Sequence, residues 1–371
     1  MVELSASQKL QDKVIGDGLC TSCGACVGLC PYFDSYQGRT VLKDLCDLPE
    51  GRCFSFCPRT LTDLNAVTED ALGVPYSGED LGIVLKITQA RSTDVKIREK
   101  AQYGGVVTTL NCFALENGII DSAILTYSQD KLKAKAIIAT TVEKILDCAG
   151  SSYTAIPMLE AFNRGVLETN QHRIGVTGTP CQILTLAKMK KGHNGRIASV
   201  NKLGITIGLF CTWAFSYQDF IEFLTDKAGG AKIKKVDIPP PPASKFEIFT
   251  TSECISIPLD QIRKFIMPSC SYCLDMTAEF ADISVGTVEG ITGWNTVIIR
   301  SQKGLELFEA AVAKGSIETE NLPKEKLNHL KQAAALKKKR ALKNIIARSG
   351  DKNDLLYLKI EPATLKKLIE F

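Results

Sequence analysis

The chain has 371 residues, of which 45 are Lys or Arg and 41 are Asp or Glu, giving a formal net charge of +4. This length suits two or three domains, and 45% hydrophobic residues can bury a core, which excludes a disordered chain, a collagen-like chain and a small disulfide scaffold. The mild, evenly spread charge argues against a nucleic-acid-binding protein.

The first residues and the apolar runs bear on where the protein works. Residues Met1–Val14 are polar and charged, without the apolar stretch of a secretory signal. The longest apolar-rich run, Leu203–Phe215, is shorter than the roughly 20 residues of a membrane-spanning helix. We therefore expect a soluble, cytoplasmic protein whose 14 cysteines stay reduced and bind metal or carry out redox chemistry.

The first four cysteines have the spacing of bacterial ferredoxins. Cys20, Cys23, Cys26 and Cys30 form a Cys-x2-Cys-x2-Cys-x3-Cys run that ends in Pro31. Three closely spaced thiolates can bind three irons of a cubane, and the fourth reaches a second cluster in two-cluster ferredoxins. A zinc site usually pairs two separate Cys-x2-Cys knuckles, so this spacing favours iron–sulfur over zinc.

A second, incomplete motif follows. Cys46, Cys53 and Cys57 end in Pro58, but a complete motif would have another cysteine near Pro49. The cross-over rule of two-cluster ferredoxins assigns one 4Fe–4S cluster to Cys20, Cys23, Cys26 and Cys57. The thiolates left for a second cluster are Cys30, Cys46 and Cys53. Three thiolates suit a 3Fe–4S cluster or a 4Fe–4S cluster with an outside ligand, and a purely structural role stays open.

After loop-like sequence from Ala66 to Asp80, strand and helix patterns alternate. Strands are predicted at Ile83–Thr88, Ser122–Tyr127, Lys135–Ala139, Arg173–Thr177 and Leu203–Cys211. Helices are predicted at Val106–Asn117, Val142–Cys148, Thr154–Arg164, Gln182–Lys191 and Tyr217–Ala228. Thr140 and Glu143 fit a capping box for the second of these helices. The alternation predicts an α/β domain with a mixed or mostly parallel sheet.

The last third of the chain continues with strands and ends in a basic helix. Pro239–Pro242 predicts a stiff extended connector. Strands are predicted at Phe246–Thr250, Cys254–Pro258, Asp282–Val285 and Thr296–Arg300. A helix is predicted at Lys324–Arg348, with a packing side made of Leu327, Leu330, Ala334 and Leu342. Its run Lys337-Lys338-Lys339-Arg340 is interpreted as a solvated face.

Seven further cysteines are scattered through this part: Cys112, Cys148, Cys181, Cys211, Cys254, Cys270 and Cys273. The pair Cys270 and Cys273 needs two more ligands, or is a redox dithiol or half a zinc site. Cys181 opens a predicted helix, where the helix dipole favours a thiolate, and Cys211 ends a strand. Lone cysteines are usually inert apolar residues, which suits Cys112, Cys148 and Cys254 best. Spacing alone leaves the other four open.

Several short motifs then occur in a recognisable order. They are Tyr103-Gly104-Gly105-Val106-Val107-Thr108, Gly150-Ser151-Ser152-Tyr153-Thr154, Thr179-Pro180-Cys181-Gln182, Gly208-Leu209-Phe210-Cys211, Cys270-x-x-Cys273, Ala281-Asp282-Ile283-Ser284-Val285-Gly286 and Gly293-Trp294-Asn295-Thr296. Over roughly Leu81 to Arg348, the chain resembles the β subunit of the coenzyme F420-reducing hydrogenase and its dehydrogenase relatives. Its ferredoxin-type beginning resembles members that feed a membrane F420H2 dehydrogenase or are fused to other reductase domains.

The resemblance implies a flavoprotein with FAD, a core 4Fe–4S cluster and a pocket for the 5-deazaflavin coenzyme F420. It makes the core cluster ligands Cys181, Cys211, Cys270 and Cys273. It makes the FAD contacts Gly104, Gly105, Val106, Thr108, Ser151, Ser152 and Tyr153. Candidates for holding the acidic tail of F420 are Lys86, Arg91 and Arg300. Without the resemblance, Gly104-Gly105 before a helix fits either a diphosphate site or an ordinary glycine turn.

The expected architecture is an α/β (α+β) flavoprotein core with a mixed sheet, preceded by a small bacterial-ferredoxin-like iron–sulfur domain and followed by a helical tail. The expected divisions are a ferredoxin-like segment at 1–65, a linker at 66–85, an FAD- and F420-binding core with one 4Fe–4S cluster at 86–320, and a basic tail at 321–371.

The expected function is hydride exchange with F420 through FAD, because a deazaflavin carries hydride whereas clusters pass single electrons. Two or three clusters would relay the electrons to a hydrogenase, formate dehydrogenase, heterodisulfide reductase or membrane dehydrogenase partner, with membrane association only through such partners. No catalytic side chain is predicted. The alternatives are a related FAD iron–sulfur reductase with another substrate or donor, a cluster-only electron-transfer subunit and, more remotely, a structural zinc module.

Overall fold

The computed structural model describes residues 4–128, 133–168, 171–192, 200–239 and 243–370. Short elements surround the first cysteines: α1 (Ala6–Leu10), β1 (Phe33–Tyr36), β2 (Arg39–Leu42), α2 (Arg52–Phe56), β3 (Thr62–Asp63) and α3 (Leu64–Leu72). A π-helix, Gln11–Gly16, continues α1, and β1 and β2 form an antiparallel hairpin. The prediction of loop from Ala66 is wrong as far as Leu72, because the Asp63 side chain caps α3 at the Ala66 N–H.

The middle of the chain alternates strands and helices, as predicted. In chain order it contains β4 (Lys86–Ser92), α4 (Val95–Lys100), α5 (Val106–Glu116), β5 (Ser122–Ser128), β6 (Ala134–Ala139), α6 (Val142–Asp147), α7 (Met158–Glu168), β7 (Ile174–Gly178), α8 (Pro180–Lys191), β8 (Leu203–Leu209) and α9 (Tyr217–Ala228). The helix predicted from Thr154 begins only at Met158, because Pro157 disfavours helix before it and Thr154 bridges to Phe215. The cap of α6 is Thr141, not Thr140; its hydroxyl accepts the Lys144 N–H.

The remaining elements complete the sheets and the tail. They are β9 (Ile233–Asp237), β10 (Lys245–Thr250), β11 (Cys254–Pro258), α10 (Leu259–Arg263), β12 (Ile283–Thr287), β13 (Asn295–Ile299), α11 (Gln302–Ala313), β14 (Ile317–Glu320), α12 (Lys324–Ser349), β15 (Leu358–Lys359) and α13 (Pro362–Glu370). The predicted proline connector falls mostly on residues 240–242, which lie outside the described residues. No helix in the described ranges is both long and apolar enough to cross a membrane.

The central sheet has eight strands in the order β14-β4-β13-β12-β8-β7-β5-β6. Its inner strands β12, β8, β7 and β5 are parallel, and antiparallel strands flank them, which confirms the predicted mixed sheet. Side chains alternate between its faces, so Ala123 and Leu125 pack with α5 and α11, whereas Ile124 packs with α7 and α8. A smaller sheet, β11-β10-β9, packs with α9 around Phe215, Phe220 and Phe246.

The ferredoxin-like segment and the C-terminal helix share one hydrophobic core with the second face of the sheet. Ala25 and Phe56 from the segment, Phe162 from α7 and Ile345 from α12 belong to the same buried cluster. Leu327, Leu330, Ala334 and Leu342 pack inward, as the helix pattern predicted. The three groups of elements are therefore packed together rather than strung along linkers.

The prediction of a solvated face on α12 is wrong for two of its four cations. Lys337 and Lys338 are 4% and 1% exposed, whereas Lys339 and Arg340 are exposed. The buried pair has polar partners that are distant in sequence, and these partners replace water around the two ammonium groups.

Candidate functional site

The sequence-predicted residues gather at one edge of the central sheet. Strands β4, β12, β8, β7 and β5 run in the same direction, so their carboxyl ends share an edge. The Thr179–Cys181 turn follows β7, Cys211 follows β8, and the Ser92 N–H at the end of β4 donates to the Gly104 carbonyl (2.7 Å). Ligands of open α/β sheets bind at this edge, so its residues form the candidate site.

The Gly104-Gly105 turn is closely packed against β13. Gly105 has φ +77°, and a Cβ atom on Gly104 would lie 2.7 Å from the Asn295 side-chain oxygen. That oxygen accepts the first N–H of α5, from Val106, at 3.3 Å, and Thr108 is buried one turn along. Glycine is needed here for both backbone shape and space. Asn295 belongs to the motif Gly293-Trp294-Asn295-Thr296, but no role was predicted for it from the sequence.

The second predicted FAD segment meets the first through an acidic side chain. Asp237, at the end of β9, accepts hydrogen bonds from Gln102 (2.5 Å) and from the Tyr153 hydroxyl (3.4 Å). Burial, and then the Asp237 charge, raise the pKa of both Tyr103 and Tyr153. Asp237 thus joins the two segments. It was missed because a lone aspartate before a proline run carries no sequence signal for a contact so distant along the chain.

Ser151 and Ser152 lie beside this junction and are exposed. The Tyr153 carbonyl accepts the Phe215 N–H (2.8 Å), and the Phe215 carbonyl accepts the Ala155 N–H (3.0 Å). The serine segment is therefore anchored to the chain that follows β8. The anchoring leaves the two serine side chains accessible to a ligand.

The first N-terminal thiols lie close together, with Cys23 buried and the other three half-buried. Burial raises the pKa of Cys57 to about 12, and the charges of Cys23 and then Cys20 add to the rise, despite the opposing charge of Lys188. Burial also raises the pKa of Cys26 well above normal, and the strongest charge effects come from Cys23, Cys20 and Cys57, in that order. The structure therefore brings together the four cysteines that the cross-over rule selects.

The cysteine loop packs directly against the start of α7. A Cβ atom on Gly24 would lie 2.8 Å from the Pro157 carbonyl oxygen, so only glycine permits this approach. The Asn163 amide donates to the carbonyls of Ala25 (3.0 Å) and Val27 (2.8 Å). The core thus fixes the backbone that carries Cys23.

The remaining N-terminal thiols form a second, more exposed set. Burial raises the pKa of Cys53 to about 11, and the charges of Cys30 and Cys46 contribute. The pKa of Cys46 is lowered, because hydrogen bonds with Ser7 and Leu48 outweigh its slight burial. The charge of Cys53 also raises the pKa of Cys26, so this set lies next to the first one.

The four core cysteines come from three separate places in the fold: the start of α8, the end of β8 and the 3-10 helix Pro268–Tyr272 with the residue after it. They are Cys181, Cys211, Cys270 and Cys273. Burial raises the pKa of Cys270 to about 11, and the charges of Cys273 and Cys181 add to the rise. Burial likewise raises the pKa of Cys211, with Lys337 opposing it.

Cys181 lies in the first turn of α8, as predicted, where the helix dipole favours a thiolate and burial opposes it. Burial raises the pKa of this thiol to about 11, and the charge of Cys273 adds to the rise. The charge of Cys23 also raises the pKa of Cys181, and the Thr185 hydroxyl of α8 lies 3.8 Å from the Cys23 sulfur. The first N-terminal set and the core set are therefore neighbours.

A buried arginine lies between those two sets. Arg59 donates to the Tyr357 hydroxyl (2.6 Å) and to the Ser269 carbonyl (3.1 Å). Burial lowers its pKa, but the charges of Tyr357, Cys273 and Cys181 outweigh burial, and the net pKa is raised. The guanidinium thus ties the ferredoxin-like segment to the core beside both sets of thiols.

The cysteine sets have the donor chemistry of iron–sulfur clusters. Within the described ranges, no group of three His, Cys, Asp or Glu side chains is arranged to hold a single metal ion. A cubane binds each thiolate through a different iron, so its ligands surround a volume instead. The negative charges of the neighbouring sulfurs raise one another's pKa values, and the cations Lys188 and Lys337 lower them. Soft sulfur donors beside such cations suit an iron–sulfur cluster.

The candidates outside these sets behave differently. Cys112 is buried in α5 against the sheet, and Cys254 is exposed on β11. The prediction that Arg300 holds the acidic tail of F420 is wrong, because its side chain is 1% exposed. It donates to the carbonyls of Leu81 and Ile83 (2.6 Å each). The structure leaves the other two candidates accessible: Lys86 lies near Glu309, and Arg91 pairs with Glu318.

Comparisons with known proteins identify the family. Residues 87–163 match the N-terminal model, and residues 171–325 the C-terminal model, of the coenzyme F420 hydrogenase/dehydrogenase beta subunit. The coenzyme F420 hydrogenase subunit beta of Methanothermobacter thermautotrophicus is 32% identical over 273 residues, 72% of this chain and 96% of that protein. The coenzyme F420-dependent sulfite reductase of Methanocaldococcus jannaschii is 30% identical over 346 residues, 86% of this chain and 50% of that protein.

A solved structure agrees with these matches. A chain of the F420-reducing NiFe hydrogenase complex from Methanosarcina barkeri superimposes with a TM-score of 0.68 at 34% sequence identity, covering 73% of this chain and 94% of that one. The ordered motifs, both family models and this shared fold agree, and the chain belongs to the coenzyme F420 hydrogenase/dehydrogenase beta subunit family.

Proposed function

We propose that this protein is an iron–sulfur flavoprotein subunit that exchanges a hydride with coenzyme F420 through FAD and passes single electrons to a partner complex. The observation that supports this most is the order of residues along the sheet edge. Only β12 separates β13, where Asn295 holds the Gly104-Gly105 turn, from β8, which leads to Cys211. A flavin side and a cluster side would thus lie next to each other.

The residues at the turn are suited to a dinucleotide. The N-terminus of α5 offers backbone N–H groups and the positive end of a helix dipole to a diphosphate. Asn295 and Ser92 hold the turn in place, and Asp237 holds Tyr153 beside it. Bound FAD would supply the conversion between hydride and single-electron chemistry, and the clusters the one-electron relay.

The ligand sets of the clusters are proposed from their grouping. The core cluster would use Cys181, Cys211, Cys270 and Cys273. The first N-terminal cluster would use Cys20, Cys23, Cys26 and Cys57. A second N-terminal cluster, of 3Fe–4S or 4Fe–4S type, would use Cys30, Cys46 and Cys53. The charge of Cys23 acts on Cys181 and that of Cys53 acts on Cys26, which supports a row of three neighbouring clusters.

The outer end of this row would meet the partner. Cys46 lies in a stretch, 43–50, whose other residues are all exposed, so it is the accessible end of the row. The partner would be a subunit of a hydrogenase, formate dehydrogenase, heterodisulfide reductase or membrane dehydrogenase type of complex. In this proposal, residues 1–65 form the ferredoxin-like segment, 66–85 the linker, 86–320 the core that binds FAD and F420, and 321–371 the basic tail.

The proposal is tested by adding reduced F420 to the anaerobically purified protein while its visible spectrum is recorded. We expect both the flavin and the iron–sulfur bands to bleach. A bound flavin that stays oxidised would contradict the F420 assignment and favour a reductase with another donor. Iron and acid-labile sulfide without flavin would favour a cluster-only electron-transfer subunit.

The flavin site is tested by a pair of glycine variants on the same helix. Gly105→Ala and Gly118→Ala both place a side chain where φ is positive, +77° and +63°, at opposite ends of α5. The backbone cost is therefore similar, about 1–2 kcal/mol each, but a Cβ atom on Gly105 would also lie 2.9 Å from the Ile97 side chain, whereas one on Gly118 meets no atom within 4 Å. We expect only Gly105→Ala to lose flavin on gel filtration. Equal flavin content in the two variants would contradict the proposed position.

A further inference from the structure

Two buried lysines beside the cysteine sets have no carboxylate partner. Lys337 of α12 is 4% exposed and Lys188 of α8 is 6% exposed. Among the described residues, no Asp or Glu oxygen lies within 4.0 Å of either ammonium nitrogen. A buried cation without an ion-pair partner is costly, so each lysine depends on other negative charge nearby.

Lys337 reaches the core cysteines. Its ammonium donates to the carbonyls of Cys211 (2.6 Å) and Asp275 (2.7 Å). Burial lowers its pKa, but the negative charges of Cys273, Cys211, Asp275 and Cys270, in that order, outweigh burial. The Asp275 carboxylate is occupied elsewhere, because it accepts the N–H groups of Thr277 (2.9 Å) and Glu279 (2.8 Å).

The next residue along the chain shows what a compensated lysine looks like. Lys338 is equally buried, but its ammonium lies 2.7 Å from the Glu279 carboxylate and 3.2 Å from the Tyr76 hydroxyl. Two adjacent lysines therefore enter the same interior, and only one has an internal counter-ion. The negative groups that act on Lys337 are the core thiols and the Asp275 carboxylate, which forms no ion pair with it.

Lys188 has the same arrangement at the first N-terminal set. Its ammonium donates to the carbonyls of Cys57 (2.5 Å) and Leu61 (3.1 Å) and to the Thr62 hydroxyl (2.9 Å). Burial lowers its pKa to about 8, and the charges of Cys57 and Cys23 oppose this lowering. Each of the two buried sets thus has one lysine that neutral oxygens hold in place.

We infer that Lys337 and Lys188 are fixed counter-charges that raise the reduction potentials of the core cluster and the first N-terminal cluster, respectively. The inference rests on the proposed function, since it takes these cysteines to carry clusters. One-electron reduction adds one negative charge to a cluster and changes no other bond. A buried ammonium close to it stabilises the reduced form more than an exposed one would. Lys337 lies beyond the residues that match the family models.

The test is a redox titration of the full-length, cluster-loaded protein, followed by electron paramagnetic resonance. Lys337→Met and Lys337→Gln remove the charge, and glutamine keeps a hydrogen-bond donor. We expect one cluster to shift to lower potential by at least a tenfold change in its reduced-to-oxidised ratio, about 59 mV for one electron. Lys188→Gln should shift a different cluster. The matched control is Lys339→Met, which removes an exposed charge from the same helix.

The outcomes separate this inference from the proposed function. Wild-type protein without iron and acid-labile sulfide would contradict the proposed function itself. Wild-type clusters that titrate normally, with unchanged potentials in Lys337→Gln and Lys188→Gln, would overturn only the counter-charge inference. Lys337→Arg keeps the charge and should retain the wild-type potential. A shift in that variant as large as in Lys337→Gln would assign the effect to packing and also overturn the inference.

Discussion

The two groups of cysteines are specified in different ways. The N-terminal seven lie within residues 20–57, on turns and short helices whose spacing alone selects the sets. The core four come from α8, the end of β8 and a 3-10 helix, and only the folded sheet brings them together. A local motif can therefore be read without a fold, whereas the core set is visible only through the fold or a family resemblance.

The difference does not extend to how the two groups are held. Asn163 and Lys188 of the core bind backbone carbonyls of the N-terminal loop, and Lys337 binds the loop after β8. Both groups thus rely on polar side chains from helices that are distant in sequence. Spacing specifies the N-terminal ligands, but the rest of the chain sets their surroundings.

The largest effect is expected from removing one ligand of each group. Cys181→Ala should lower the iron content by about four per chain and leave the N-terminal clusters in place, and Cys57→Ala should do the reverse. Iron and sulfide analysis with electron paramagnetic resonance measures both. Cys254→Ala, on an exposed strand, is the control and should retain all iron. Loss of every cluster in both variants would show that the groups assemble as one unit.

A large loss of stability is expected from Lys338→Met, which leaves Glu279 buried without its ion partner. Removing one member of a buried pair costs about 3–5 kcal/mol of unfolding free energy. Denaturant unfolding of the variant measures this loss. The double variant with Glu279→Gln should recover part of it, because no unpaired charge then remains. A double variant as unstable as Lys338→Met would show that packing, not charge, causes the loss.

The same variant has a predictable pH dependence. Burial raises the pKa of Glu279 above its ordinary 4.5, and the Lys338 charge opposes this rise. An acid with a raised pKa binds more protons in the folded state, so its contribution to stability is full below pH 4.5 and is lost as the pH rises. Without Lys338 the pKa rises further. The deficit of Lys338→Met should therefore be larger at pH 8 than at pH 5.5.

Local sequence signals were sufficient to predict features that depend on a single helix or turn. Helix α9 has the predicted bounds, Tyr217–Ala228, because Ser216 and Gly229 bracket an amphipathic stretch. The division of the N-terminal cysteines into two ligand sets, which spacing also predicts, stays a prediction. The predicted N-cap of α6, Thr140, is wrong by one residue, because the adjacent Thr141 has the same side chain and caps the helix.

Long-range contacts could not be predicted. The burial of Lys337 and Lys338 depends on Cys211, Asp275 and Glu279, which no periodicity connects to α12. The rise in the pKa of Cys181 depends on burial by distant parts of the chain and on the charge of Cys273. Such balances are set by tertiary packing rather than by local sequence.

A moderate effect is expected where Arg59 joins the two groups. The Tyr357 hydroxyl accepts from Arg59 and donates to the Tyr272 carbonyl (2.5 Å). Tyr357→Phe removes both hydrogen bonds and should lower the unfolding free energy by about 1–3 kcal/mol. Thermal unfolding measures this loss. Tyr36→Phe, on a ring that is 64% exposed, should change little. Equal effects of the two variants would show that the Tyr357 hydroxyl does not contribute to this coupling and that Arg59 acts through the Ser269 carbonyl alone.

The smallest effect is expected at the outer rim of the N-terminal region. The Ser35 hydroxyl of the β1–β2 hairpin donates to the Glu160 carboxylate of α7 at 2.6 Å in a part-buried site. Ser35→Ala should lower the unfolding free energy by about 1 kcal/mol and leave the iron content unchanged. Asn163→Ala removes two buried hydrogen bonds from the cysteine loop itself, so its effect should be larger and should include lost iron. If Ser35→Ala lost as much iron as Asn163→Ala, the hairpin would be part of the cluster support, and α7 would hold the whole N-terminal region as one body.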